Sequence, residues 1–358
     1  MNEILWRPET DTVRSAQVTR FAKWLEQTRG LEFEGYESLW QWSVDEIDAF
    51  WLAIWDYYQI QPGATVDTVL SNDSMPGAQW FPGSRVNYTA HVFKNATTDR
   101  PAIVFQGEAT DLQEISWGEL EKNVAALANH LRSIGVTTGD RVAAYLPNTP
   151  EAVVAFLASA SIGAIWSMCA PDLGPQGVLD RFRQIKPKLL IATDGYTYNG
   201  NNYDRTETVN ELLANLPTVK ALVAVDRIGA SGHLAKGSKV PVSTWADAVA
   251  GTYDLEPLPL PFSHPLWILY SSGTTGTPKA IVHSQGGILV EHLKALNLHL
   301  DLGARDRFFW YSSPAWMGWT VHVSGLLNGT TCCTYDGNPA FPNINRRWRC
   351  IWASRVTD

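Results

Sequence analysis

Between Pro101 and Val225 the chain alternates short apolar runs with amphipathic ones, and this alternation restricts the fold more than any other feature. Strand-length runs occur at Ile103–Phe105, Val142–Leu146, Ala164–Ser167, Leu189–Ala192 and Ala221–Val225. Between them, apolar residues recur at helical spacing: Leu120, Val124, Leu127, Ala128 and Leu131; Val178, Leu179, Phe182 and Ile185; Leu212, Leu213 and Leu216. The pattern predicts an α/β sheet with helices packed on its faces. Local signals punctuate it. Ser116 opens a capping box with Glu119, and Gly135 stops the helix that follows. Thr149-Pro150-Glu151 starts another helix, with proline at a first-turn position where its missing N–H costs nothing.

The first ~75 residues differ. Val18, Phe21, Ala22 and Leu25 predict a helix stopped at Gly30. "SVDE" (Ser43 to Glu46) reads as a capping box before Ile47, Phe50, Trp51, Ile54, Trp55 and Tyr58 at helical spacing. Helices with such aromatic stripes need something to cover, so residues 1–88 are expected to be a helical cap and its connection, and 89–358 the larger domain. "MPGAQWFPGSRVNY" (Met75 to Tyr88) and "DLEPLPLPFSHP" (Asp254 to Pro265) read as connections, the second on the surface.

Charge narrows the function. With 28 basic against 36 acidic residues the net charge is −8, which disfavours non-specific attraction to nucleic acid or an anionic membrane. Ala152 to Pro171 carries no charge over 20 positions, the length of a membrane span. Its Ala, Ser and Gly content and the dividing Gly163 predict a buried helix and strand instead. The N-terminus lacks the apolar run of a signal peptide. Cys169, Cys332, Cys333 and Cys350 show neither zinc-ligand spacing nor a disulfide framework, and are expected to be buried reduced thiols of a cytoplasmic protein.

Tyr270 to Ser284 read "YSSGTTGTPKAIVHS" between two apolar stretches. Five hydroxyl side chains fall among the nine residues Ser271 to Lys279, more than a turn requires, and the stretch exceeds a tight hairpin loop. Glycines let successive backbone N–H groups approach one set of phosphate oxygens, hydroxyls add donors, and Lys279 adds a charge. The nucleotide-kinase pattern G-x-x-x-x-G-K-[ST] is absent, since Pro278 stands five positions after Gly273.

This stretch resembles the phosphate loop of the adenylate-forming enzymes, which include acyl-CoA synthetases, luciferases and peptide-synthetase adenylation domains. The resemblance implies that Ser271, Ser272, Gly273, Thr274, Thr275, Gly276, Thr277 and Lys279 contact the β- and γ-phosphates of MgATP. "YESLWQWSVDEIDAFWLAIWDYY" and "WFPGSRVNYTAHVF" resemble the N-terminal segment and domain entry of short-chain acyl-CoA synthetases. "APDLGPQGVLDRFRQIKPKLLIATDGYTYNG" and "FFWYSSPAWMGWTVHVSGLLNGTTCCTYDGNPAFP" resemble the branch that acts on acetoacetate more than those acting on acetate or propionate. The implied fold is a large adenylate-forming domain of stacked α/β subdomains under a helical cap. The implied reaction uses ATP, Mg²⁺ and coenzyme A. A carboxylate attacks the α-phosphorus and expels pyrophosphate; the thiol then attacks the acyl carbon and expels AMP.

Three departures carry expectations. Around Trp316, an expected pocket residue, the family has Thr-Gly before and Met-Trp-Asn after. Here Pro314-Ala315 precede and Gly318-Trp319-Thr320 follow, so glycine in place of methionine should enlarge the acyl pocket or loosen its wall. A basic residue is common after "YNG", near the coenzyme A side, but Asn201 and Asn202 stand here, so no coenzyme A contact is transferred. The resemblance covers about the first half of such an enzyme. The adenine and ribose motifs, the hinge and the small C-terminal domain with its catalytic lysine are missing, so no catalytic residue and no metal ligand is assigned, and the 358 residues are expected to be an inactive, truncated form, the alternatives being a non-catalytic nucleotide-binding fragment or a ligase for another short-chain carboxylic acid.

Other conspicuous residues have plainer readings. His283 reads as a packed strand histidine, Trp310 as core, and "RRWR" (Arg346 to Arg349) as a solvated helix face. Glu119, Glu151 and Asp180 read as helix-start charges.

Overall fold

The fold is taken from a computed structural model, which describes residues 5–61, 66–108, 110–272, 276–345, 351 and 354–357. Four helices open it: α1 (Thr10–Ser15), α2 (Gln17–Arg29), α3 (Tyr36–Asp45) and α4 (Ile47–Tyr57). α2 stops at Gly30, whose φ of +66° is the left-handed C-cap that glycine adopts without strain. The expected capping box before α4 does not form. Ser43 lies inside α3, where its hydroxyl donates back to the Trp40 carbonyl at 2.7 Å, and Glu46 joins the two helices without a side-chain cap. Phe21 and Trp24 of α2 meet Tyr57 of α4 edge-on at 5.1 and 5.3 Å. Trp55, on the opposite face of α4, stacks on Phe81 at 4.6 Å.

Short strands β1 (Leu70–Asn72) and β2 (Gln79–Trp80) pair antiparallel, and β3 (Arg85–Val86) leads into α5 (Tyr88–Phe93), capped by Asn87. Then come β4 (Pro101–Gly107), β5 (Gln113–Ser116), α6 (Trp117–Ser133), β6 (Arg141–Tyr145), α7 (Pro150–Ser161), β7 (Ile165–Cys169) and α8 (Pro175–Ile185). β8 (Leu189–Thr193), the hairpin strands β9 (Gly195–Tyr198) and β10 (Asn201–Asp204), α9 (Thr206–Asn215), β11 (Ala221–Val225), β12 (Val242–Thr244) and α10 (Trp245–Ala248) continue it. The last described elements are β13 (Leu260–Pro261), β14 (Pro265–Ser271), β15 (Lys279–Ser284), α11 (Gln285–Lys294), β16 (Arg307–Phe309), α12 (Met317–Val323) and β17 (Thr331–Asp336).

Two main sheets result. The seven-stranded one runs β12-β11-β8-β6-β7-β14-β15, parallel until the antiparallel edge pair β14–β15. The four-stranded one runs β16-β17-β4-β5. β7, β8 and β11 are buried at every position, as strands covered on both faces must be. The uncharged stretch is α7 followed by β7. Gly163 turns between them at φ +74°, where a Cβ would sit 2.9 Å from Leu260. Among the described residues no helix is long and apolar enough to cross a membrane.

Several expectations need correcting. The two connections are not bare. Phe81 is fully buried, and Phe262 packs so closely that a Cβ on Gly286 would lie 2.1 Å from its ring. β13 pairs with β3, joining the two segments. At α6 the Ser116 hydroxyl accepts the Glu119 N–H at 3.1 Å. Glu151 lies in the first turn of α7, but Asp180 is in mid-helix, accepting from Gln176 at 2.5 Å. Trp310, the residue after edge strand β16, is 44% exposed rather than core. Cys169, Cys332 and Cys333 are buried free thiols, as expected. Cys350 and "RRWR" lie outside the described residues.

Candidate functional site

β14 and β15 form a hairpin in which Ser271 pairs with Lys279, so residues 272–278 make the connecting loop. The stretch is thus carried by a hairpin. The hairpin's base is tied to α8. Tyr270 donates its phenol to the Arg181 carbonyl at 2.9 Å, and Gln184 Nε2 donates to the Pro278 carbonyl at 2.9 Å. Ser272, Gly276, Thr277 and Lys279 are exposed and Ser271 is half-buried. Gly276 has φ +95°, and a Cβ there would meet nothing within 4 Å. Among the described residues Lys279 makes no ion pair. Gly273, Thr274 and Thr275 lie outside the described residues. His283 accepts the Trp267 indole N–H on Nδ1 at 2.8 Å, and burial lowers its pKa, which suits a neutral packed histidine.

β6, β7 and β14 are adjacent and parallel, so their carboxyl ends share one edge of the sheet, where ligands bind in open α/β folds. The loop leaves that edge from β14. A cavity of about 160 Å³ opens beyond β6 and β7, closed on its other side by the end of β17. Asn148, just after β6, stitches the two sheets together there. Its amide nitrogen donates to the Tyr335 carbonyl at 3.2 Å, its backbone N–H donates to Asp336 at 3.3 Å, and its side-chain oxygen accepts the Trp319 indole N–H at 3.0 Å. No local pattern marks Asn148, because its partners lie 171 to 188 residues away.

Asp336 lines the cavity, and Arg227 approaches it at 4.0 Å. Burial raises its carboxyl to about 6, with Arg227 and the Asn148 N–H opposing and Glu151 and Glu108 reinforcing. The unfolded carboxyl titrates near ~3.9. The folded state therefore favours the protonated acid, and its stabilising contribution is complete below about pH 4 and lost as pH rises through about 6. Asp336→Asn should flatten the rise in melting temperature on acidification from about pH 8 to about pH 5. Parallel curves for the two proteins would show that Asp336 does not titrate in this window.

Trp316, at the N-terminus of α12, is 58% exposed and outside the cavity lining. A Cβ on Gly318 would lie 2.7 Å from the Ser312 hydroxyl. The missing side chain thus admits Ser312 rather than leaving open space. Trp319 is buried.

The model of the family described as AMP-binding enzyme matches residues 90–358, and that of the acetyl-coenzyme A synthetase N-terminus matches 36–92. An acetoacetyl-coenzyme A synthetase from Rhizobium meliloti is 42% identical over 95% of this chain and 52% of its own length. One from Danio rerio is 39% identical over 98% of this chain and 53% of its own length. A malonamoyl-CoA synthetase from Penicillium aethiopicum is 34% identical over 95% of this chain and 48% of its own length. The solved acetoacetyl-CoA synthetase from Streptomyces lividans superposes with a TM-score of 0.93 at 45% identity, over 99% of this chain and 55% of that one. The chain thus spans about half the length of the relatives it matches.

Proposed function

This chain belongs to the AMP-binding enzyme family, and from that membership we propose that the protein ligates acetoacetate to coenzyme A through an acetoacetyl adenylate. The observation that carries the proposal is similarity to acetoacetyl-CoA synthetases along 95% or more of the chain. Residues 1–88 serve as the helical cap and 89–358 as part of the nucleotide-binding domain; the protein works in the cytoplasm.

Ser271, Ser272, Gly273, Thr274, Thr275, Gly276, Thr277 and Lys279 hold the β- and γ-phosphates of ATP. The exposed hydroxyls, open Gly276 and a Lys279 without an ion pair among the described residues suit a polyanion. Charge-assisted hydrogen bonds of ~1.5–3 kcal/mol each make a few such contacts sufficient for micromolar affinity. Mg²⁺ arriving with the ATP phosphates would offset the charge of the leaving pyrophosphate. The loop's task is positioning and charge stabilisation, which is most of what this transfer needs. Trp316 borders the acyl site. The cavity bordered by Tyr198, next to Asn199-Gly200, is the coenzyme A side.

Similarity to a malonamoyl-CoA synthetase favours a second reading, ligation of another short carboxylic acid. ATP–pyrophosphate exchange separates the two in a form that spans the relatives' full length. Acetoacetate should support at least ~10-fold more exchange than acetate, propionate or butyrate, a difference of about 1.4 kcal/mol. Equal exchange with acetate refutes the acetoacetate assignment. Residues 1–358 alone should form no acetoacetyl-CoA, and measurable product from them would overturn that part of the proposal.

A further inference from the structure

Glu108, just after β4, joins three distant segments through one half-buried carboxylate. Oε1 accepts the Asn199 N–H at 2.8 Å and Oε2 the Gly200 N–H at 2.8 Å. Oε1 also accepts the Asn338 N–H. The Glu108 N–H in turn donates to the Asp336 carbonyl at 3.1 Å. The surroundings are shaped to this arrangement. Gly337 has φ +116°, and a Cβ there would fall 2.4 Å from Glu108 Cγ. Gly200 has φ +74°, and a Cβ there would fall 2.6 Å from the Phe341 ring. Asn338 Nδ2 donates to Asn199 Oδ1 at 3.3 Å.

These bonds fall on both walls of the cavity. Asn199-Gly200 is the turn of the β9–β10 hairpin, whose Tyr196, Thr197 and Tyr198 form one wall. Asn338 follows Asp336 and Gly337, which form the other. Isolated two-stranded hairpins are marginal in water, so what holds this one in place sets the width of the opening. We propose that Glu108 is a positioning residue that fixes the gap between these walls for the thiol substrate. This rests on the reading of the cavity as the coenzyme A side. An amide at this position keeps the shape, but it turns an N–H toward a backbone N–H and removes the charge that strengthens the remaining bonds.

Glu108→Gln tests this in two arms. In amide hydrogen exchange, Asn199 and Gly200 should exchange at least ~10-fold faster, as expected for losing a charge-assisted bond. In a form spanning the relatives' length, KM for coenzyme A should rise ~10-fold, while ATP–pyrophosphate exchange stays within about twofold of wild type. That split separates positioning from general loss of structure, which would lower both half-reactions. Unchanged exchange at the two amides overturns the clamp. Faster exchange with an unchanged KM for coenzyme A overturns the positioning role. A wild-type protein that forms no thioester refutes the ligase reading instead, and the amide arm then decides the clamp by itself.

Discussion

Lys279→Ala should lower ATP–pyrophosphate exchange by about 100-fold in a form that spans the relatives' length, with little change in melting temperature. The stability half follows from exposure: Lys279 opens β15 with its side chain in solvent and, among the described residues, makes no ion pair. The activity half follows from Coulomb's law. An ammonium ~4 Å from a phosphate oxygen gains ~4 kcal/mol at a surface-like dielectric, of which about 2.7 kcal/mol net corresponds to 100-fold. Lys279→Arg keeps the charge on a different donor geometry and should recover part of the rate; Lys279→Gln should not. The loss should fall on KM for ATP and on the first half-reaction, leaving thioester formation from a supplied acyl adenylate nearly intact. Wild-type exchange in Lys279→Ala would reduce residues 272–278 to a hairpin connection.

The features legible in the sequence are the ones that local pattern determines. Apolar runs at Leu189–Ala192 and Ala221–Val225 pointed to buried strands, and Pro150 at a helix start and Gly30 at a helix end mark boundaries that backbone sterics impose. The same local logic failed at Ser43. A capping box there required α3 to end before Ser43, but α3 continues through Asp45 and its own carbonyl takes the hydroxyl. Trp310 failed differently: aromatic bulk predicts burial, but it stands just past the end of edge strand β16 and is exposed. The hydroxyl- and glycine-rich stretch stood out because its residues are contiguous. The cavity did not, because Asn148 and Glu108 meet Asp336 only through pairings made 188 and 228 residues apart. Single polar residues in a turn carry no periodicity that would mark them.

Asp194 is another residue of that kind, and its removal should cost the most stability. It is fully buried at the end of β8 and accepts from the backbone N–H groups of Arg227 at 2.8 Å, Ile228 at 3.3 Å and Ala230 at 2.7 Å. A carboxylate in a low-dielectric interior is costly unless hydrogen-bonded, and these convergent amides satisfy it while holding the turn after β11. Asp194→Ala leaves three partly buried donors without this acceptor. At ~1–3 kcal/mol for each, with some regained from water, the loss should be about 4 kcal/mol in denaturant unfolding. Asp194→Asn preserves volume but must turn its amide toward one of the same N–H groups, so it should recover less than half of that. The damage should also reach the cavity, because the turn carries Arg227 to Asp336. With Arg227 displaced, the Asp336 carboxyl loses the cation that opposes its burial, and its pKa should rise further above 6. A loss under about 1 kcal/mol in Asp194→Ala would mean that water satisfies this turn as well as the carboxylate does.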